Sequence, residues 1–126
     1  MKIGILALVA AGAFSLHVDA AEPGDAAHGK ELYQSLCSSC HSFPYNGTGP
    51  AHDGLFGRKA GGRDDYAYSD ALKSANFVWN ESTLDAWLAD PERIVPGQKM
   101  GPGVPSAQDR ADLIAYLKTE SARKKD

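Results

Sequence analysis

The sequence is short of cysteine, of excess positive charge and of long apolar stretches. Two cysteines in 126 residues are too few for a scaffold built on disulfides. Lys and Arg number 13 against 16 Asp and Glu, for a formal net charge of −3. That balance lacks the basic footprint of a nucleic-acid binder. No apolar run reaches the roughly 18–20 residues of a membrane span, so no stable membrane insertion is expected. No alternating apolar–polar pattern marks a strand, and no repeat or low-complexity linker divides the chain. With 23% charged and 43% hydrophobic residues, the composition fits one small globular domain of the all-α class.

The first residues stand apart from the rest. Lys2 is followed by a nearly unbroken apolar run of 14 residues, Ile3 to Leu16. That length suits the apolar region of a signal peptide and is short for a transmembrane helix. Val18 and Ala20 place small residues before a cleavage point after Ala20. Residues 1–20 are thus expected to be a cleaved signal peptide and 21–126 the domain, exported to the periplasm of a bacterial host. The 106 remaining residues hold all seven prolines and eleven of the thirteen glycines. So small and loop-rich a domain has little core to spare, which leaves room for a bound group to complete it.

Periodicity and caps predict the helices. Asp25 to Leu36 reads as a helix with Asp25 near its start, and Gly29 and Tyr33 share one face at i, i+4. Residues 42–63 read as irregular loop. Tyr68 to Ala75 holds a short helix begun by Ser69 or Asp70. Asn80 caps Glu81 to Ala89, where Leu84, Trp87 and Leu88 line one side and Pro91 closes the helix. Residues 91–105 carry four prolines and are expected to form a stiff loop without regular structure. Ser106 and Asp109 form a capping-box pattern before a last helix that runs to about Ala122, with Leu113, Tyr116 and Leu117 inward.

One motif carries chemistry. Cys37-Ser38-Ser39-Cys40-His41 has the CxxCH spacing of a c-type haem attachment. Two thiols can add to the two vinyl groups of one haem, and the adjacent imidazole can reach the iron. A dithiol redox centre, half of a zinc site and a plain disulfide are the competing readings. No βαβ pattern surrounds the pair to favour the first. No second cysteine pair completes the zinc site, and only His28 and His52 remain as other histidines beyond the leader. Opposite His41, the candidate sixth ligand is Met100, the one methionine besides Met1. It sits in a rigid Pro/Gly-rich loop, where a methionine is poorly placed as core filler. His28 and His52 are its rivals.

The segments CSSCH, GTGP, GLFGRKAG, YAYSDA, TLDAWLADP, PGQKM and RADLIAYLK occur in family order. From about Gly24 to Lys118 the chain resembles a class I cytochrome c of the small mitochondrial and bacterial type. The resemblance implies helices wrapped around one covalently held haem c, with the first and last helices crossing. It implies thioether bonds at Cys37 and Cys40, axial ligation by His41 and Met100, and a hydrogen bond from His41 to the carbonyl of Pro50. Arg58, Tyr68 and Trp79 match family residues that contact the haem propionates. Trp87 stands where many relatives place a tyrosine beside the methionine sulfur, and Gln98 replaces a hydroxyl residue before Lys99-Met100. Leu72 replaces a frequent asparagine. His52-Asp53 takes the place of an apolar–His pair. Gly101-Pro102-Gly103 follows Met100 where the family has an aromatic. Leu36 and Glu92 occupy two typical lysine places, so the lysine ring of the mitochondrial proteins is depleted.

The function this implies is a soluble, monomeric, periplasmic one-electron carrier, not an enzyme. It would shuttle electrons between a dehydrogenase or membrane complex and a terminal acceptor, with redox proteins as donor and acceptor. A haem enzyme or gas sensor, which needs an open iron site, is the rival class. A subunit of a larger complex is the other.

Overall fold

The computed structural model describes residue 12 and residues 21–123. The expected signal peptide, apart from Gly12, lies outside the described residues, as do Lys124 and Lys125 of the basic tail. Five helices follow in order: α1 (Ala26–Leu36), α2 (Asp70–Lys73), α3 (Glu81–Ala89), α4 (Pro91–Ile94) and α5 (Ala107–Ser121). Among the described residues there is no sheet. One isolated antiparallel bridge pairs Lys59 with Val78.

Each helix starts on a side chain that accepts from the free amides of the first turn. Asp25 accepts from Ala27 and His28 for α1, and Ser69 from Leu72 for α2. Asn80 and Thr83 cap each other in a complete box at α3. Ser106 accepts from the Asp109 amide for α5 at 3.2 Å, the forward half of the expected box.

The expectation of a wholly irregular loop over residues 91–105 does not hold, because Pro91–Ile94 forms the short helix α4. Asp90 accepts from the Arg93 amide at 3.1 Å, and Pro91 stands at the first helical position. There its fixed φ suits the helix and its missing N–H costs nothing. The prolines that argued against regular structure thus include one that starts a helix.

Helices α1 and α5 cross at Gly29. A Cβ there would run into the carbonyl of Asp112 and stand 2.9 Å from the Cβ of Tyr116, so only glycine lets the backbones meet. The crossing is also bonded. Asp112, only 3% exposed, accepts from the Asp25 backbone amide at 2.8 Å, from His28 Nδ1–H at 2.7 Å and from the Gln108 side-chain Nε2 at 3.0 Å. A buried carboxylate with three donors escapes the cost of burying a bare charge. Around it, Leu113 and Leu117 of α5 pack with Leu84, Trp87 and Leu88 of α3 and Tyr33 of α1.

This clamp makes stability pH-dependent. The hydrogen bond to Asp112 raises the His28 pKa, helped by the Asp112, Asp109 and Glu31 charges and opposed by burial. The same bond, with the Asp25 amide and Gln108, lowers that of Asp112. His28 therefore stabilises the fold below its unfolded value near about 6.5 and loses that effect as pH rises through its raised folded value. Asp112 stabilises above about 3.9 and loses its effect as pH falls through its depressed one. The clamp is strongest between about pH 4 and about pH 6.5. Melting His28→Gln beside the parent at about pH 5.5 and about pH 8.5 should show the parent's advantage shrinking at the higher pH. An advantage independent of pH would contradict the linkage.

Candidate haem site

The CxxCH segment is the turn that ends α1. The Cys37 and Ser38 amides both donate to the Tyr33 carbonyl at 2.9 and 3.0 Å, and the Cys40 and His41 amides to the Cys37 carbonyl at 3.1 and 2.9 Å. The turn leaves Cys37 half-buried and Cys40 exposed. Burial, with the nearby Cys40 adding to it, pushes the Cys37 thiol up to about 11.

His41 is oriented by Pro50. Its Nδ1–H donates to the Pro50 carbonyl at 2.8 Å, which fixes the tautomer and leaves the lone pair on Nε2, the nitrogen that would ligate. Burial lowers the His41 pKa, opposed by the Pro50 bond, so the ring stays neutral as a ligand must. Gly49 makes room for it. A Cβ at Gly49 would lie 2.6 Å from both ring nitrogens and closer still to Cε1, which puts it over the ring face.

The loop after α4 presents Met100, 41% exposed. The Trp87 indole N–H donates to the Met100 sulfur at 3.3 Å. The tryptophan thus supplies a hydrogen-bond donor to that sulfur. Trp87 is 6% exposed and its ring lies 5.5 Å from that of Trp79. Gln98 folds back rather than outward: its Oε1 accepts from the Met100 amide at 2.6 Å and its Nε2 donates to Glu92 at 3.3 Å. Glu92 also accepts from the Gly97 amide at 2.8 Å. Gln98 therefore steadies the backbone that carries Met100. At the loop's far end the Val104 amide donates to the Leu88 carbonyl at 2.6 Å, pinning it to α3.

Arg58, Tyr68 and Trp79 come together. The Trp79 amide donates to the Arg58 carbonyl at 2.9 Å, and the Gly57 amide to the Trp79 carbonyl at 2.8 Å. The two terminal nitrogens of Arg58 donate to the Asp53 and Ala51 carbonyls at 2.9 and 3.0 Å. Its Nε is buried with no partner. Burial first of all lowers the Arg58 pKa, and the Tyr68 phenol is among the groups that counter it. A buried guanidinium with an unpaired N–H lacks an acceptor, and leaving such a donor unmade is costly. A haem propionate would supply that acceptor.

The two rival ligands are engaged elsewhere. His28 is bound to Asp112 at the helix crossing. His52 stacks on His41 itself, with ring centroids 4.2 Å apart and planes 19° from parallel. That stack was not foreseen from the sequence, since the two histidines are eleven positions apart across an irregular loop.

These residues fit a covalent haem c: paired thiols on a turn, a neutral imidazole with a free Nε2, a half-exposed thioether and an unpaired buried guanidinium. The comparisons with known proteins agree. The chain matches the family described as Cytochrome c over residues 26–121. It is 46% identical over 99 residues to the cytochrome c of Euglena viridis, covering 76% of this chain and 97% of that one. It is 45% identical over 104 residues to the cytochrome c of Theileria annulata, covering 79% and 90%. Among solved structures, cytochrome cH from Methylobacterium extorquens superposes with a TM-score of 0.72 and 49% identity, covering 76% of this chain and 99% of that one. The chain belongs to the cytochrome c family, a class I c-type cytochrome with one haem c held through Cys37 and Cys40.

Proposed function

We propose that this cytochrome is a periplasmic one-electron carrier with both axial positions of its iron filled, by His41 and Met100. The observation that carries the reading is the Nδ1–H bond from His41 to Pro50, which leaves the Nε2 lone pair as the ligand atom. When bound, haem c supplies a one-electron ferrous–ferric couple. His41 would be one ligand of the iron and Met100 the other, since His28 is tied to Asp112 and the His52 ring lies against that of His41. Histidine plus methionine ligation raises the potential relative to stronger donors. The Trp87 N–H occupies one lone pair of the Met100 sulfur and fixes its direction. Arg58 would pair with the propionates, and Tyr68 and Trp79 would donate hydrogen bonds to them. A filled coordination sphere leaves no place for substrate, so the protein passes electrons and does no substrate chemistry.

The partners are redox proteins that dock briefly over a small interface. Leu36 and Glu92 stand in two places where the mitochondrial proteins carry lysine, and the net charge is −3. Docking therefore rests on weakly charged contacts. Two measurements test the proposal. A host expressing the full chain should release a haem protein beginning at Ala21 on osmotic shock, and its electron-transfer rate to its partner should change less than about threefold between low and physiological salt. A membrane-retained product that keeps residues 1–20, or a steep fall of the rate with salt, would contradict it.

A further inference from the structure

His41 has a second constraint that ligation alone does not require. The Pro50 carbonyl fixes one atom of the ring. Torsion about the ring bond of histidine is broad, so one hydrogen bond does not define the plane. The plane is set by what lies on the faces. His52 lies against the ring at 4.2 Å, 19° from parallel, and Gly49 closes over the ring so tightly that a Cβ would overlap it.

His52 is itself held. Its Nδ1 shares a 2.9 Å hydrogen bond with the Tyr33 hydroxyl. Tyr33 is buried on α1, and its ring packs edge-on, 5.4 Å between centroids, against Tyr116 of α5. The helix crossing therefore leads through Tyr33 and His52 to the imidazole of His41. An aliphatic side chain would fill the place of His52 without a polar ring or a partner for the Tyr33 hydroxyl.

We propose that His52 is a positioning residue for His41, setting the plane of its imidazole and biasing the iron toward the ferric state. The inference rests on His41 being an axial ligand. The ferric form carries one more positive charge than the ferrous. A polar, hydrogen-bonded ring beside the ligand stabilises that charge better than hydrocarbon does.

The test uses the holoprotein and two variants, with the midpoint potential and the ferric electron paramagnetic resonance spectrum as readouts. His52→Leu should shift the ferric–ferrous ratio about threefold toward ferrous at fixed ambient potential, a rise of about 28 mV at 59 mV per tenfold. Its g values should move as the imidazole plane is released. Tyr33→Phe keeps the packed ring and removes only the hydroxyl. It should move both readouts in the same direction by less, and it decides the matter alone if His52→Leu does not fold. A residue that merely fills space would lower the melting temperature and leave potential and g values at their parent values, which would overturn the proposal. A parent protein without a six-coordinate low-spin signal would overturn the ligand reading beneath it. A normal parent signal with unchanged variants overturns the role of His52 alone.

Discussion

Replacing Met100 by alanine will leave the haem covalently attached and open the sixth position of the iron. The thioether bonds at Cys37 and Cys40 do not involve residue 100, so attachment survives. The variant should bind carbon monoxide in the ferrous state. Its potential should fall by roughly 0.1–0.3 V, a substantial part of the about 0.8 V range that axial ligands cover. Neither histidine is free to replace the lost sulfur: His28 is held by Asp112 at 2.7 Å and His52 by Tyr33 at 2.9 Å. The loop itself should hold its place, because Glu92, Gln98 and the Val104–Leu88 bond fasten it independently of the methionine side chain. Optical titration with carbon monoxide checks this. A variant with the parent spectrum and no affinity for carbon monoxide would show that Met100 is not the ligand.

The second large effect is on stability. Gly29→Ala adds a single methyl group where α1 meets α5. In an open helix that change would stabilise by up to about 1 kcal/mol. Here the new Cβ meets the Asp112 carbonyl and comes within 2.9 Å of Tyr116 Cβ. The obstacle is backbone, which cannot rotate away as a side chain can. Overpacking costs about 1–3 kcal/mol, occasionally more, and the buried Asp112 network is displaced with it. We expect a net loss of about 2–3 kcal/mol, a large share of the roughly 5–15 kcal/mol that holds a domain together. Gly29→Val should be worse. Denaturant midpoints of the holoproteins measure it, and an alanine variant as stable as the parent would mean that the helices do not meet there.

The helices were legible because their signals are local. Asp25, Ser69, Asn80 and Ser106 each accept from an amide two or three residues ahead, and cap and helix are written side by side. The short helix α4 was hidden by its own proline, since Pro91 signals a stop to the helix before it and a start to the one after. The haem attachment was legible for the same reason as the caps: its three residues lie within five positions. The rest of the site is not local. The Asp112 clamp on His28 spans 84 positions and no periodicity announces it, so His28 read as a spare ligand. Arg58, Tyr68 and Trp79 became site candidates only through resemblance to a family, and the unpaired Nε of Arg58 gives an independent physical reason to count that residue. Gln98 was legible only by its place in the chain. Its position lies beside the ligand, but its carboxamide is spent on the Met100 amide and on Glu92. The Trp87 departure proved conservative in chemistry, because an indole N–H reaches the sulfur that a phenol would otherwise meet.

The central claim is a closed, six-coordinate haem that carries electrons and binds no small ligand. The visible spectrum of the reduced protein, recorded before and after carbon monoxide, tests it most directly. A c-type spectrum that carbon monoxide leaves unchanged is the predicted result. A spectrum that shifts on adding the gas would contradict it, and would mean an iron open to ligands with Met100 displaced.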